Sequence, residues 1–302
     1  MIEPERLTGD ARDENEGVDM ELASTSTQRT YRYVRLAIIG AVVAIFVSLI
    51  AYGTTFGWPT SISALFYTPG RTVFVGSLFA VTLGLLALSG HSLEQALLDL
   101  AAIFAPLIAI VPTVIATGDV PGLTVDCPGS PPCVPTAYVA DVANGMVTFA
   151  IVGGAGVVVA VILALIQRTV SRALLATIAV AAAIVLGMTL WWALNPETFV
   201  PWGHLVATGA VLGLMAIVSV AAAAGAGGTS YRSLYLVIGV LFVLSLLFVT
   251  AVSVLNLAGV DLVAATGAPL ILIGECIALA LFAMFWLAQT AQKWDEVNPS
   301  II

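Results

Sequence analysis

The chain has 302 residues, of which 60% are hydrophobic and 9% charged, with a net charge of −8 and a mean hydropathy of +1.06. Soluble domains carry about 25% charged residues, so this composition excludes a soluble globular protein, and no nucleic-acid partner is expected. Several apolar runs are long enough to cross a hydrocarbon core of about 30 Å. A barrel would instead show alternating strands of about ten residues. We therefore predict an all-α, polytopic transmembrane bundle.

The N-terminal segment is the most charged part of the chain. Eight of the 18 acidic residues lie within the first 21 positions. We predict a disordered acidic tail over 1–30, either simply solvated or used for docking, followed by a bundle over 31–294 and a short tail over 295–302. The tail is too long and acidic to be the start of a cleaved signal peptide. Together with a single lysine and a pI near 4.6, it gives a halophile-like composition.

The apolar runs predict eight spans. They cover about 36–53, 72–89, 95–115, 138–166, 173–194, 203–224, 233–256 and 263–289. Eight spans leave both termini on one side of the membrane. Seven basic residues flank the spans on that side: Arg29, Arg32, Arg35, Arg168, Arg172, Arg232 and Lys293. Only Arg71 flanks them on the other side, so the positive-inside rule places both termini in the cytoplasm, as expected of a multi-pass cell-membrane protein.

The segment 61–76, SISALFYTPGRTVFVG, links the first two spans and organises the outer half of the predicted bundle. It combines hydroxyl and aromatic side chains with a Pro-Gly turn. Non-helical backbone is tolerated at membrane depth where it lines a cavity. We therefore expect this segment to dip into the bundle and to contribute Ser61, Ser63, Tyr67 and Arg71 to a binding site.

Ionisable groups inside spans are costly and are candidates for function. Glu275 is predicted near mid-depth, twelve residues into the eighth span. Asp141 lies with Asn144 at the outer end of the fourth span, and His204 lies beside Trp202 at the start of the sixth.

Three interpretations of these groups stay open. In the first, Arg71 only neutralises a carboxylate, Glu275 first and Asp141 second. In the second, the groups form a ligand or catalytic pocket, with Asp141, His204 and Glu275 as catalytic candidates and Arg71, Ser61, Ser63, Tyr67, Asn144 and Trp202 as binding residues. In the third, they are unrelated positions on the rim.

Two further sets of residues are candidate sites. On the predicted cytoplasmic side, His91 and Glu94 have i, i+3 spacing, with Asp99 a turn further on. Two such ligands do not make a metal centre, so no metal or cofactor is predicted. In the outer loop, Cys127 and Cys133 bracket a Pro/Gly-rich turn, which favours a disulfide, whereas Cys276 lies inside a span and is expected to pack there.

The segments 61–88 and 97–113 resemble a group of uncharacterised prokaryotic multipass membrane proteins that are DRAM-like in outline. Their pattern is roughly S-I-S-x-Y-Y-T-x-x-R-x-x-F-V-G. The matching residues are Ser61, Ile62, Ser63, Tyr67, Thr68, Arg71, Phe74, Val75 and Gly76, while His204 and 274–286 are similar to later positions. Phe66 and Asp99 depart from the pattern, which has Tyr and Asn there. The resemblance implies an outward-facing polar site but no particular activity.

Two classes of function remain. One is a protein that binds or hydrolyses lipid headgroups from the outer leaflet, with membrane lipids as its partners. The other is a small-solute transporter or a structural scaffold, which can also self-associate through Gly-rich helix faces such as 153–156. Convergence of His204, Asp141 and Glu275 around an outer cavity would favour ligand chemistry, and convergence without a cavity would favour a scaffold.

Overall fold

The computed structural model describes residues 10–88, 93–168, 170–260 and 262–294, with side chains from residue 28 onward. The helices are α1 Asp10–Phe56, α2 Arg71–Ala87, α3 Leu93–Ile110, α4 Thr136–Ile166, α5 Arg172–Leu194, α6 Pro196–Gly225, α7 Thr229–Leu257, α8 Leu262–Thr266 and α9 Leu270–Gln292. A 3₁₀ turn, Ser63–Tyr67, lies between α1 and α2. The described residues form no β-strand, so the predicted all-α class is confirmed.

Seven described helices are long and apolar enough to cross a membrane: α1, α3, α4, α5, α6, α7 and α9. The apolar helix α2 has 17 residues, which is at the lower end of the length that spans a bilayer. These eight helices correspond to the eight predicted spans. The chain is an integral, multi-pass membrane protein. The side on which its termini lie stays a prediction.

The helices divide into a packed group and an edge pair. Helix α6 packs along α3 and α7, α2 packs between α1 and α3, and α9 packs between α1 and α7. Helices α4 and α5 pack mainly on each other, and only 11% of their apolar window is buried, against 33–44% for the other long helices. Most of the candidate site residues, such as His204 on α6 and Glu275 on α9, belong to the packed group.

Helix α6 begins earlier than predicted. It starts at Pro196 rather than near residue 203, because proline at the first helical position lacks only an N–H that would be unpaired there anyway. His204 therefore lies in the third turn of a helix rather than at its start. Helix α3 ends at Ile110 rather than near 115, two residues before Pro112.

The predicted eighth span is broken in two. Helix α8 ends at Thr266, Gly267 has a positive φ of 71°, and α9 begins after Pro269. Glycine adopts this backbone conformation without a steric penalty. Glu275 is therefore the sixth residue of α9, about 8 Å from its start, rather than twelve residues into a continuous span. Its depth in the membrane stays a prediction.

Helix α1 spans Asp10–Phe56 and so begins within the segment 1–30 that was predicted as an acidic tail. The division of the chain into tails and bundle stays a prediction. No proline interrupts 10–56, which permits a continuous helix. Residues 1–9 and 295–302, and with them the rest of the predicted tails, lie outside the described residues. His91 also lies outside them.

The loop 111–135 folds over one end of the bundle, which we call the loop end. The predicted disulfide between Cys127 and Cys133 is present, and Ile115 and Cys133 exchange two backbone hydrogen bonds. The loop also holds the chain after α1, because the Thr60 N–H donates to the Asp119 carbonyl at 3.0 Å. Segment 60–67 is thereby covered by the loop.

Candidate functional site

The segment that follows α1 is joined to the start of α9. The N–H groups in the first turn of a helix lack partners within the helix. In α9 one of them, that of Leu272, donates to the Thr60 carbonyl at 2.9 Å. The adjoining residues Ser61 to Tyr67 are all buried. The prediction that this segment dips into the bundle is therefore confirmed.

Glu275 is surrounded by hydrogen-bond donors from this segment. The Ser61 hydroxyl lies 2.9 and 2.8 Å from its two carboxylate oxygens, and the Ser63 hydroxyl lies 3.0 Å from Oε1. The backbone N–H of Ile62 donates to Oε2. Buried polar groups must find such partners inside the protein. Here the partners are neutral donors rather than a basic side chain.

His204 joins the same group from α6. Its Nε2 lies 2.9 Å from the Ser63 hydroxyl oxygen, and its Nδ1 lies 2.7 Å from the Val111 carbonyl oxygen. A carbonyl can only accept a hydrogen bond, so Nδ1 must carry a proton. The side chain is 7% exposed and both ring nitrogens are engaged, which fixes its orientation.

Besides the Nδ1 proton and the hydrogen of the Ser63 hydroxyl, the group formed by Glu275, Ser63 and His204 holds one further proton, which Glu275 and His204 share. The Ser63 hydroxyl has a single hydrogen but makes contact on both sides. If Ser63 donates to a Glu275 carboxylate, Nε2 must donate to Ser63, and His204 is an imidazolium. If His204 is neutral, it accepts from Ser63, and a protonated Glu275 donates to Ser63. The two arrangements interconvert by proton transfer through Ser63, and the pair is electrically neutral in both.

Two cavities that share lining residues lie near this group and the loop 111–135. A cavity of about 40 Å³ is lined by His204, Glu275 and residues of α7. A second cavity of about 480 Å³ lies between the loop 111–135 and the α7–α9 region. Both are lined by Asn256 and Ile271. The smaller cavity has room for water, which needs roughly 10–15 Å³.

The cavity lining is acidic and rich in oxygen atoms. Among the described residues, Glu275 and Asp119 are its acids, and no lysine or arginine lines either cavity. Further oxygen atoms come from Thr113, Thr208, Ser253 and Asn256. The Thr208 hydroxyl is buried and has no hydrogen-bond partner among the described residues. Buried hydroxyls without partners are rare, and this one belongs to the lining of the smaller cavity.

Arg71 lies elsewhere, at the rim of the bundle. Its guanidinium is 2.8 Å from the Asp141 carboxylate, and the two side chains are 37% and 43% exposed. It also lies 4.1 Å from the centre of the Phe66 ring and 5.7 Å from that of Tyr138. Arg71 therefore pairs with its second predicted partner, Asp141, and the prediction that it pairs first with Glu275 was wrong.

Tyr67 connects the two regions. Its hydroxyl donates to the Thr113 carbonyl at 2.7 Å, and its ring packs against that of Tyr138 at 4.9 Å. Burial raises the pKa of Tyr67, Tyr138 raises it further, and Arg71 opposes the shift. The phenol consequently remains a hydrogen-bond donor at all ordinary pH values.

The structure sorts the predicted site residues into three sets. Ser61, Ser63, His204 and Glu275 lie together at the cavity. Arg71, Tyr67 and Asp141 lie around the aromatic rim. Asn144 and Trp202 are exposed on helix surfaces and line neither cavity.

Sequence reasoning did not find several cavity residues. Thr208 follows His204 by four positions, which places the two side chains on the same face of the helix. The spacing in the sequence could therefore have predicted that Thr208 lies beside His204. Ser253 and Asn256 come near the end of α7 and resemble ordinary helix-end residues. Asp119 lies in the loop 111–135, where no pattern in the sequence marks it as a cavity residue. Only the packing of loop 111–135 brings it to the larger cavity.

A second group of buried charged side chains lies at the opposite end of the bundle. Arg35, Glu94 and Lys293 are 1%, 4% and 6% exposed. Arg32 donates to the Trp294 carbonyl and stacks over its ring, with the guanidinium carbon 4.5 Å from the ring centre. These contacts tie α1 to the end of α9. We assign this group a structural role, because its contacts join helix ends.

No protein-family model matches this chain, and no curated protein or solved structure is similar to it.

Proposed function

We propose that this protein binds a lipid headgroup from the outer leaflet of the cell membrane and processes it by acid–base chemistry. The observation that carries the proposal is the Ser63 hydroxyl, held between Glu275 and His204, both of which line the smaller cavity. The disulfide in the covering loop supports an outer location, since disulfides persist in oxidising compartments. The basic residues at the other end support the same orientation.

The chemistry would use water rather than a serine as the nucleophile. Ser63 is 5% exposed and is not among the described residues that line the smaller cavity, whereas His204 and Glu275 are. Glu275 can take a proton from a water in this cavity and return it to a leaving group. His204, whose ring nitrogens contact Val111 and Ser63, exchanges a proton with Glu275 only through Ser63. Such general acid–base catalysis contributes about 10²–10⁴-fold in rate. The neutral pair is suited to it because it holds one transferable proton.

Native mass spectrometry of the purified protein tests the binding step. Wild-type protein should retain a headgroup-bearing lipid, and Glu275→Gln should lose it. Asn144→Ala is the matched control, because Asn144 is exposed on α4 and lines neither cavity. Equal lipid retention by all three proteins would overturn the proposal.

A second candidate function, small-solute transport, is favoured by the break between α8 and α9. Interrupted helices beside a buried ionisable residue are typical of transporter binding sites, and here the break at Gly267 lies eight residues before Glu275. Solute flux into proteoliposomes that is lost in Glu275→Gln would favour transport over headgroup processing.

A further inference from the structure

We infer that the headgroup recognised at this site is an ammonium, and that its binding expels one proton from the group formed by Glu275, Ser63 and His204. The inference rests on the proposed function and names the chemical class of its ligand. The shared chemistry is that of ethanolamine, present either as a lipid headgroup or as the free amine.

The cavity has no group that would bind a phosphate. Neither cavity is lined by a lysine or an arginine among the described residues. Arg71 is paired with Asp141 and stacked on Phe66 at the rim. Both nitrogens of His204 are already engaged, so the imidazole has no free N–H to donate. An anionic group in this cavity would meet Glu275 and Asp119 instead.

The same lining is suited to a cation with several donors. An ammonium donates three hydrogen bonds and accepts none. The oxygen atoms around the smaller cavity include a Glu275 carboxylate oxygen and the Thr208 hydroxyl, which has no partner among the described residues. The larger cavity, of about 480 Å³, leaves room for the remainder of an amine-bearing molecule beside apolar residues such as Val252, Val263 and Ile271.

The proton release follows from the hydrogen count. Before binding, the Ser63 hydroxyl donates a hydrogen bond either to Glu275 or to His204. The one of these two residues that does not accept from Ser63 carries the shared proton and donates it to the Ser63 oxygen. An ammonium beside Glu275 stabilises the carboxylate and donates to it in place of Ser63. Ser63 then donates to Nε2 of a neutral His204, and the shared proton leaves through the cavity. One positive charge enters and one leaves, so the net charge of the site is unchanged.

The other groups near this site favour the exchange of a proton for an ammonium ion. From the covering loop, Asp119 lines the larger cavity and favours a cation in it. The remaining elements packed around Glu275 contribute hydroxyls and backbone groups: Ser61, Ile62 and Ser63 from the segment after α1, Thr208 from α6, and Ser253 and Asn256 from α7. None of these hydroxyl or amide groups titrates near neutral pH. The Cys276 thiol, next to Glu275 on α9, does not line either cavity, so the released proton is assigned to the Glu275–His204 pair.

Calorimetry on the full-length protein in phosphatidylglycerol nanodiscs tests the inference. One arm titrates a short-chain phosphatidylethanolamine, a second titrates free ethanolamine, and a third titrates glycerol phosphate. Repeating each titration in two buffers of different ionisation enthalpy counts the protons released. We expect one proton per ligand in at least one amine arm, and no binding of glycerol phosphate. The arm that binds more tightly identifies the source of the amine.

Two variants test the role of Ser63. Ser63→Thr keeps the hydroxyl and should retain a release of one proton, whereas Ser63→Ala should bind the amine with a release well below one. Amine binding without proton release by the wild type would overturn the exchange. Binding of glycerol phosphate but of neither amine would overturn the ammonium assignment and leave headgroup binding standing. Loss of every lipid from the purified protein would instead overturn the proposed function.

Discussion

The Arg71–Asp141 pair and the Glu275–Ser63–His204 group lie on the two sides of the same buried segment, yet they are held in different ways. The rim pair is a direct ion pair between side chains that are 37% and 43% exposed. The inner group contains no ion pair between adjacent side chains, and its carboxylate is held by hydroxyls and a backbone N–H. Burial distinguishes them, because the rim pair is still hydrated, whereas Glu275 is only partly exposed and its donors Ser61, Ile62 and Ser63 are buried. Buried polar groups need partners within the protein.

This difference implies different consequences of mutation. At the rim, loss of one partner leaves the other solvated, and exposed ion pairs are worth about 0–1 kcal/mol. In the inner group, loss of one partner leaves buried donors without acceptors, at about 1–3 kcal/mol each. Mutations in the inner group should therefore destabilise the protein more than mutations at the rim.

The largest effect is expected for Glu275→Ala. It removes the acceptor shared by Ser61, Ile62 and Ser63, so the free energy of unfolding should fall by about 3–5 kcal/mol. Equilibrium unfolding in mixed micelles measures this change. Glu197→Gln, at an exposed position in the first turn of α6, is the control and should change stability by less than about 0.5 kcal/mol. Equal effects of the two variants would contradict the contrast.

A smaller effect separates the two serines. Ser63→Ala leaves both Glu275 and His204 short of a partner, whereas Ser61→Ala affects Glu275 and the Ser63 N–H. We expect Ser63→Ala to cost about 1–3 kcal/mol, and Ser61→Ala to cost less because Ile62 and Ser63 still donate to the carboxylate. The same unfolding measurement ranks them. A larger loss for Ser61→Ala would show that His204 is not stabilised through Ser63.

The disulfide should contribute about 2 kcal/mol, because it closes a short loop. Its loss in Cys127→Ser/Cys133→Ser should affect the inner group more than the rim, since the loop reaches Thr60 through Asp119. Thiol labelling of the unreduced, denatured wild type should find one reactive cysteine, Cys276. Labelling of three cysteines would show that the bond does not form.

The smallest effect is expected at the rim. Arg71→Ala and Asp141→Ala should each cost about 1 kcal/mol or less, with a coupling energy of about 0.2–1 kcal/mol in a double-mutant cycle. The cation–π contact with Phe66 stabilises Arg71 by a similar amount, and it is lost in Arg71→Ala but not in Asp141→Ala. A coupling above 3 kcal/mol would mean that the pair is buried in the membrane-embedded protein.

Helix positions could be predicted from the sequence because long apolar runs are unambiguous. Because buried charge is costly, Glu275 and His204 could likewise be predicted as candidate site residues. The Pro-Gly turn in segment 61–76 predicted that this link packs into the bundle. That serine hydroxyls rather than Arg71 hold Glu275 could not be predicted, because it depends on the break at Gly267, which brings Glu275 close to the start of α9. The early start of α6 at Pro196 similarly changed the depth of His204. Asp119 and Thr208 depended on loop packing that no local pattern encodes.

The shared proton can be observed directly by nitrogen-15 NMR of histidine-labelled protein. The chain has two histidines, so His91→Ala leaves His204 as the one labelled side chain. We expect Nδ1 to stay protonated because it donates to the Val111 carbonyl, and we expect the Nε2 signal to change in Ser63→Ala and in Glu275→Gln. An unprotonated Nδ1, or an Nε2 signal unchanged in both variants, would contradict a proton shared through Ser63.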